Sequence, residues 1–420
     1  MLNLLAPREP FSTFTLSLIL GLSLLLCVSC QSPQNSTETS TDNSTSLEIS
    51  TSLNITHRSD DQRIHYIGRF DKSDPHQHKF SYPGSAIQFK VYGKSLSIHL
   101  QQYNQLGLNA YVDLSIDGVH AKTLDANGTD WHHVFSSEQA QTHEISLSKN
   151  NEAWMGEIAF TGIHLDGKLL QQVKTEPKPK HFLFLGSSYE TGFGNIGDYS
   201  LNERNPEDFS TSGMNHNYAY PALYTRALKA EHTCICFGGK GLIRAYDGVT
   251  DRQLPDLLFQ NLALAESPTN MHEIMPNIIF LDIGGNDFLL GIPDKTPFIE
   301  KYIETITTLE KLYPKTPIVI SYIQIEPPQA EINALKNQNT INFLNNLYSN
   351  STIYFSYLKL VHKHFEEKPK NNIHLWHYKD TQNRRWGEAV HPSQIKHQVI
   401  ADDLVDFVRS EIYSGAGFRN

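Results

Sequence analysis

The chain has 420 residues, 39% of them hydrophobic, and its formal net charge at pH 7 is -10. This length is sufficient for two domains, and the apolar fraction is sufficient for a packed core in each. The negative charge argues against nucleic acid as a partner, because binding to phosphates requires a surplus of Lys and Arg.

Residues 1–30 have the layout of a signal peptide. Arg8 precedes an apolar run over 14–26 that is too short to span a membrane, and Cys30 comes shortly after this run. The cysteine resembles that of a bacterial lipobox, although Cys27 stands where this motif usually has Leu. An Asp directly after such a cysteine usually marks retention in the inner membrane. Gln31 stands there instead, which favours an outer-membrane location. We therefore predict an exported protein, either anchored to the outer membrane through a lipidated Cys30 or periplasmic or extracellular after simple cleavage.

Residues 31–60 are rich in Ser, Thr and Asn and contain few large apolar side chains. A segment of this composition cannot bury enough surface to offset the entropy lost on folding. We therefore predict a disordered tether between the leader and the first folded domain.

Two groups of residues outside the leader bear on redox and metal chemistry. Cys234 and Cys236 are separated by one residue, and because a disulfide between such close neighbours is strained, we expect buried free thiols. A second group is spaced loosely like metal ligands, but we expect it to form a solvated loop; it comprises Asp71, Asp74, His76 and His78. Neither a metal nor another cofactor is predicted.

Apolar and polar residues alternate with a period of two through much of 61–172. The runs are Ile87, Phe89, Val91; Leu96, Ile98, Leu100; Val112, Leu114, Ile116; then 143–147 and 157–165. Gly93 and Asp117-Gly118 are predicted turns. This pattern predicts short antiparallel strands with one buried face. We predict an antiparallel, jelly-roll-like β-sandwich over 61–172.

The pattern changes after a segment rich in Pro and charge at 174–180, which we predict to be a linker. Three short apolar runs follow, at 182–185, 277–283 and 317–323. Helical patterns lie between and after them, as at 297–312 and 395–412. Strands that alternate with helices predict a parallel sheet covered on both faces, so we predict an α/β domain over 180–414.

Four motifs of this domain lie at predicted strand ends, in loops or before the last helix. They are Gly186–Gly192, Gly238–Gly241, Asp282–Asp287 and His391–Ser393. Sites in open α/β sheets form at the carboxyl ends of strands, so we expect these motifs to lie together. In this order they resemble the blocks of SGNH (GDSL-type) hydrolases: a Ser after a Gly, a loop Gly, a Gly-x-Asn-Asp and a C-terminal His.

The resemblance implies that Ser188 is a nucleophile and His391 its general base, because a hydroxyl needs a base within hydrogen-bond reach. It also implies an oxyanion hole formed by the backbone N–H groups of Ser188 and Gly239 and the Asn286 side chain. Asp287 is expected to hold loop structure. The family usually has Asp directly before the nucleophile, and Ser187 stands at that position here. Ser187 is therefore a rival nucleophile, but the alignment with the family motif favours Ser188.

The third member of the catalytic set stays open between two alternatives. The usual acid lies three residues before the His, at Glu388, whose longer side chain would have to bend to reach the ring. The other alternative is a main-chain carbonyl that completes a Ser-His dyad.

The N-terminal half of the chain resembles one subgroup of these hydrolases. Tyr66–Asp71 and Tyr82–Ile87 resemble the opening of the N-terminal sandwich of carbohydrate esterase family two, and 217–221, 239–241 and 391–393 resemble the same family. This resemblance implies a serine esterase that removes acetyl groups from polysaccharides or oligosaccharides such as acetylxylan or acetylmannan, without a cofactor. Some members have an Asp two residues before the His; Ala389 stands there, which favours the dyad.

Two alternative functions stay open. The protein would either bind carbohydrate without catalysis, or act as an acyltransferase or lipase on the same scaffold. The intact Ser188, His391 and Asn286 argue against the first, and the polar stretch 195–217 argues against a lipase. Trp376 and Trp386 would either offer a stacking face for a sugar ring or belong to the core.

Overall fold

A computed structural model of the chain describes residues 56–103, 106–171, 178–197, 209–327, 329–335, 338–367, 372–380 and 386–413. The predicted leader and most of the predicted tether lie outside the described residues, as does most of the predicted linker. Within the described ranges, no helix is both long enough and apolar enough to cross a membrane.

The first half of the described chain is a single antiparallel sheet of nine strands. The strands are β1 (His57–Arg58), β2 (His65–Ile67), β3 (Asp71–Asp74), β4 (Gln77–Phe80), β5 (Ala86–Tyr103), β6 (Tyr111–Ile116), β7 (Val119–Asp125), β8 (Thr129–Lys149) and β9 (Glu157–Leu170). Their order is β3-β4-β9-β5-β8-β6-β7, with β1 paired to β9 and β2 paired to β5. The alternating apolar side chains of these strands share one buried core, including Phe89, Ile98 and Leu147. The predicted antiparallel β domain is confirmed.

Gly93 does not form the predicted turn, because it lies inside the continuous strand β5. The pairing of β5 with both β8 and β9 shifts between Gly93 and Ser95, which marks a bulge. A Cβ at Gly93 would lie 2.6 Å from the Asp166 carbonyl oxygen, so glycine permits a close backbone approach. Asp117 and Gly118 do form the predicted turn between β6 and β7, and both have positive φ.

The second half contains a parallel sheet of five strands. These are β10 (His181–Gly186), β11 (Glu231–Cys236), β12 (Ile278–Leu281), β13 (Ile318–Gln324) and β14 (Ile373–Lys379), in the order β11-β10-β12-β13-β14. The chain therefore leaves β10 towards one side and later returns to its other side. Such a switch point opens a crevice at the carboxyl ends of the strands.

Helices cover both faces of this sheet, so the predicted α/β fold is confirmed. They are α1 (Ser188–Thr191), α2 (Tyr220–Ala227), α3 (Leu254–Leu257), α4 (Lys295–Leu312), α5 (Gln329–Asn333), α6 (Gln338–Glu366) and α7 (Gln394–Phe407), followed by a π-helical turn at Val408–Ile412. Alternate residues of β10 face opposite cores, Phe182 and Phe184 on one side and Leu183 and Leu185 on the other. Each such burial contributes about 1.5–3 kcal/mol.

The prediction of free thiols at Cys234 and Cys236 is wrong, because the two residues form a disulfide. Both lie on β11, where residues two apart point to the same face of the sheet. Their Cα atoms are 5.3 Å apart, which is within the range that a disulfide requires. The shared face and the short distance outweigh the objection from sequence spacing.

Polar contacts join the antiparallel sheet to the α/β half. The Asp113 carboxylate on β6 accepts hydrogen bonds from the side-chain amides of Asn215 and Asn217, at 2.7 and 2.8 Å. The buried Arg69 guanidinium donates to the Leu258 carbonyl oxygen at 3.4 Å. The domain boundaries at 61–172 and 180–414 stay a prediction, but residues of the antiparallel sheet reach the segments around the predicted site.

Candidate active site

Ser188 begins α1, directly after β10. The backbone N–H of Ser187 donates to Glu190 Oε2 at 2.7 Å, which closes the tight turn between strand and helix. A Cβ at Gly186 would lie 2.2 Å from the same Glu190 oxygen, so only glycine leaves room for this contact. Ser188 is half-buried at the carboxyl end of the sheet, in the place where a doubly wound sheet presents reactive side chains.

His391 is brought against Ser188 from a segment 203 residues later in the chain. Its Nε2 lies 2.9 Å from Ser188 Oγ, and its Nδ1 lies 2.9 Å from the Ala389 carbonyl oxygen. The ring packs against Phe193, with 4.7 Å between ring centroids. The hydroxyl that contacts the imidazole is therefore that of Ser188, and not that of its rival Ser187.

The Glu388 carboxylate makes no hydrogen bond to the His391 ring in the described structure. It instead faces Ser210, with Oε2 accepting from the Ser210 backbone N–H at 2.7 Å. The contact at His391 Nδ1 is made by the main-chain oxygen of Ala389. Of the two alternatives from the sequence, the geometry matches the Ser-His dyad with a carbonyl partner.

The backbone before His391 has an unusual conformation. Ala389 and Val390 both lie in the left-handed region, with φ of 50° and 59°. Conformations of this kind in non-glycine residues cost of the order of 1–3 kcal/mol each. Two hydrogen bonds hold them, from the His391 N–H to Glu388 O at 3.1 Å and from the Gly387 N–H to His391 O at 2.9 Å. This bend turns the Ala389 carbonyl towards the ring.

Burial changes the charge state of several groups around Ser188. Desolvation lowers the pKa of His391 to about 4, and the contact with the Ala389 carbonyl opposes this shift. The ring is therefore neutral at neutral pH and able to accept a proton. Within α1, burial raises the pKa of Glu190 well above its usual range, and it raises that of the adjacent Asp282 to about 7. Like charges so close in a desolvated site favour one shared proton.

The turn Phe237–Lys240 follows β11 and carries Gly239. The Lys240 N–H donates to Phe237 O at 3.3 Å, and the Phe237 N–H donates to Gly186 O at 3.1 Å, next to the turn that leads into Ser188. Gly239 has a φ of +85°, which favours glycine, and a Cβ there would lie 2.7 Å from the Tyr246 ring. Its own N–H makes no hydrogen bond to another described residue.

Asn286 ties this turn to the one after β12. Its Nδ2 donates to the Lys240 carbonyl oxygen at 2.8 Å, which leaves the second hydrogen of the amide for another acceptor. The neighbouring Asp287 carboxylate accepts hydrogen bonds from three backbone N–H groups of the loop that follows Lys240, those of Leu242, Ile243 and Arg244. The expectation that Asp287 holds loop structure is confirmed.

The sugar-stacking alternative for Trp376 and Trp386 is wrong, because both side chains are buried, each with 2% exposure. A different row of rings leads away from His391. It runs through Phe193 and Phe209 to Trp154, with centroid distances of 4.7, 5.5 and 6.3 Å along the row. Trp154 is half-buried and belongs to the antiparallel domain. No sequence motif pointed to it.

Two lesser expectations concern local structure. The predicted solvated loop is wrong for most of its residues, because Asp71 and Asp74 lie in β3 and His78 lies in β4, where it is buried beside Tyr66. Only His76 lies in the turn between the strands, where its N–H donates to the Asp74 carboxylate at 2.8 Å. Ser393 occupies the N-cap position of α7, but its side chain makes no capping hydrogen bond.

Comparisons with known proteins match both halves of the chain. Residues 183–404 match the GDSL-like lipase/acylhydrolase family, and residues 66–172 match the carbohydrate esterase 2 N-terminal family. An acetylxylan esterase / glucomannan deacetylase of Cellvibrio japonicus (strain Ueda107) is 30% identical over 267 residues, which is 62% of this chain and 71% of that protein.

Two further matches extend this result. The cellulase/esterase CelE of Acetivibrio thermocellus is 28% identical over 61% of this chain, although the match spans only 30% of CelE. A structure of a family two carbohydrate esterase from Clostridium thermocellum in complex with cellohexaose has a TM-score of 0.69 at 24% identity, covering 83% of this chain and 99% of the other. The chain therefore belongs to the GDSL-like lipase/acylhydrolase family, carries the N-terminal domain of carbohydrate esterase family 2, and is a carboxylic-ester hydrolase.

Proposed function

We propose that the protein is a carbohydrate O-acetyl esterase that works through an acyl-enzyme on Ser188. The observation that carries this proposal is the 2.9 Å contact between Ser188 Oγ and His391 Nε2, with Nδ1 of the same ring held by the Ala389 carbonyl. The substrate class is supported by the relatives, one of which is named an acetylxylan esterase / glucomannan deacetylase and one of which was solved with cellohexaose.

In the first step, His391 Nε2 takes the Ser188 proton while Oγ attacks the acetyl carbonyl carbon. The carbonyl oxygen becomes an oxyanion, for which the donors are the Ser188 and Gly239 N–H groups and the free hydrogen of the Asn286 amide. The imidazolium then gives its proton to the leaving sugar oxygen, and the carbon–oxygen bond breaks. The Ala389 carbonyl keeps Nδ1 protonated and the ring oriented throughout.

In the second step, His391 takes a proton from water, and the resulting hydroxide attacks the acetyl-enzyme. The same donors stabilise the second oxyanion. Collapse returns the proton to Ser188 and releases acetate. These steps use only side chains and main-chain groups of the chain together with water.

The direct test measures acetate released from acetylated xylan, acetylated glucomannan and 4-nitrophenyl acetate by the wild type and by Ser188→Ala. Release by the wild type alone supports the proposal, and the ratio between polymers ranks the substrates. If neither folded protein releases acetate from any of them, the proposal fails, and glycan binding without catalysis becomes the better explanation. Acetyl transfer to an added sugar in place of acetate release would instead favour an acyltransferase.

We expect the acid limb of kcat/KM to lie well below 6.5, the ordinary pKa of histidine. His391 must be neutral to accept the Ser188 proton, and desolvation lowers its pKa to about 4. Activity should therefore persist as the pH falls through 6.5 and disappear only near the lowered pKa. The measurement is a pH–rate profile on 4-nitrophenyl acetate.

Glu388→Gln is the matched variant for this profile. Since the Glu388 carboxylate faces Ser210 and not His391, the acid limb should stay in place when the charge is removed. A limb near the ordinary value of 6.5 that moves in E388Q would mean that Glu388 completes a triad after all.

We expect Trp154→Ala to raise KM for acetylated polymers about fivefold, since an aromatic contact contributes on the order of 1 kcal/mol. Trp154 ends the row of rings that begins at His391, and it is suited to stack on a sugar next to the acetylated one. The KM for 4-nitrophenyl acetate should not change. Trp131→Ala is the control, because Trp131 is also half-buried in the antiparallel domain but packs on His99. Equal effects of both variants would contradict this role.

The proposal includes export and a lipid anchor at Cys30, which lies outside the described residues. It also includes the domain boundaries at 61–172 and 180–414. These parts are supported by the sequence patterns of the leader, the tether and the linker.

A further inference from the structure

Glu152 belongs to the antiparallel domain, yet its carboxylate contacts two segments of the hydrolase half. Oε1 accepts a hydrogen bond from Thr191 Oγ1 at 2.5 Å, and Oε2 accepts from the Gly238 N–H at 3.0 Å. Thr191 ends α1, the helix that begins at Ser188, and Gly238 precedes Gly239 in the turn after β11. One buried side chain therefore joins the nucleophile helix to the turn that carries a proposed oxyanion donor.

The turn that Glu152 contacts has the features of a type II β-turn. Its first and fourth residues are joined by the bond from the Lys240 N–H to Phe237 O, and its third residue, Gly239, has a φ of +85°. The N–H of the third residue takes no part in the turn's own hydrogen bond. The direction in which the Gly239 N–H points therefore depends on how the whole turn is oriented.

The fit between Glu152 and the turn leaves no free space. A Cβ at Gly238 would lie 2.4 Å from Glu152 Oε1, so glycine at this position admits the carboxylate. On the other side, Lys149 Nζ donates to the main-chain oxygens of Asn151 and Glu152, both at 2.8 Å. Lys149 and Glu152 are both fully buried, so the loop that carries the carboxylate is itself fixed.

The Glu152 carboxyl group is removed from water, which is costly unless hydrogen bonds compensate, and here Thr191 Oγ1 and the Gly238 N–H supply them. Burial raises the pKa of Glu152 to about 7, and it lowers that of Lys149 to about 7 as well. In either protonation state a carboxyl oxygen can accept from the Gly238 N–H. The hydrogen bond to the turn therefore persists across the neutral range.

We propose that Glu152 is a positioning residue through which the antiparallel domain orients the Gly239 N–H for the oxyanion. This inference rests on the proposed esterase function. It gives the antiparallel domain a part in the chemistry that is separate from any contact with glycan. Glu152 acts through Gly238 and does not touch the substrate.

The test compares Glu152→Ala with Glu152→Gln in the full chain. Ala removes both acceptors, so kcat/KM for 4-nitrophenyl acetate should fall about 10- to 100-fold, a part of what loss of a whole oxyanion donor costs. Gln keeps an oxygen for the Gly238 N–H and places an amide against Thr191 Oγ1, so it should stay within about threefold of the wild type. A second readout is inhibition by phenylboronic acid, whose tetrahedral adduct with a serine mimics the oxyanion; its Ki should rise in E152A by the same factor.

Arg69→Met is the matched control, because Arg69 is another buried charged residue that joins the two halves, but at Leu258 and Thr269. It should lower the Tm without changing kcat/KM or the Ki. If E152A does not fold, Glu152→Asp replaces it, since the shorter side chain withdraws the carboxylate from the turn and should cause the same losses.

Three results would overturn the inference: activity of E152A equal to that of the wild type, loss of kcat/KM without any change in the boronate Ki, or equal losses in E152A and R69M. Failure of the esterase proposal itself gives a different result, because the wild type would then neither release acetate nor bind phenylboronic acid.

Discussion

Ser188→Ala is expected to lower acetate release by a factor on the order of 10⁴–10⁶ while leaving the fold intact. The hydroxyl is the only atom group removed, and it is the one that lies 2.9 Å from His391 Nε2. Without it the acyl-enzyme cannot form. The remaining activity is direct attack of water on the bound ester, which the oxyanion donors accelerate only weakly. Because Ser188 is half-buried and at the first position of α1, the loss of its hydroxyl should change the Tm little.

Ser187→Ala is the matched control for this variant. Ser187 is the neighbouring hydroxyl, its backbone N–H holds Glu190, and alanine preserves that main-chain contact. Its activity should stay within about threefold of the wild type, in the range of a surface substitution. Mass spectrometry after labelling with an organophosphonate gives an independent readout. The adduct should appear on the peptide that contains position 188 in the wild type and in S187A, but not in S188A. A loss of activity in S187A with activity retained in S188A would reverse the assignment.

Asn286→Ala is expected to lower kcat by about 10²–10³, the usual cost of losing one oxyanion donor. The Asn286 amide has two hydrogens, one of which is used on the Lys240 carbonyl oxygen, and the second is available to an oxyanion. The charge on the oxygen develops only in the transition state, so KM should change much less than kcat. The measurement is the steady-state rate on 4-nitrophenyl acetate and on an acetylated polymer.

Asn350→Ala separates this effect from a loss of local structure. Asn350 Nδ2 donates to the Phe288 carbonyl oxygen at 3.2 Å, in the same turn that carries Asn286. It therefore removes an equivalent amide contact that lies outside the proposed oxyanion hole. N350A should lower the Tm by a few degrees without changing kcat. If both variants lower kcat equally, Asn286 acts by supporting the turn and not as a donor.

The order of the motifs carried most of the information about the catalytic half. Gly186–Gly192, Gly238–Gly241 and Asp282–Asp287 each follow a strand of the parallel sheet, and the carboxyl ends of parallel strands lie on the same edge. The local pattern was thus enough to predict that these three motifs lie together, whereas the pairing of Ser188 with His391, 203 residues later, was implied by the family resemblance. Period-two alternation predicted the antiparallel domain for a similar reason, because each strand must bury one face.

The sequence did not reveal which group lies at Nδ1 of His391. Glu388 and a main-chain oxygen were both open, since the choice depends on two left-handed residues, Ala389 and Val390, whose types do not favour that conformation. The surrounding hydrogen bonds impose it. Cys234 and Cys236 were misjudged for a related reason, because the distance between their Cα atoms is set by β11 and not by their spacing in the chain.

The sequence by itself was enough to predict the two sheets, the family and the candidate nucleophile and base. The alternation of apolar and polar residues and the order of the motifs can be read from the chain alone. Only the tertiary structure decided the partners that come from the other half of the molecule. Trp154 and Glu152 lie in the antiparallel domain, and nothing near them in the sequence indicates a catalytic neighbourhood. Their places near Phe209 and Gly238 arise from the packing of two halves, and such long-range contacts leave no local pattern to read.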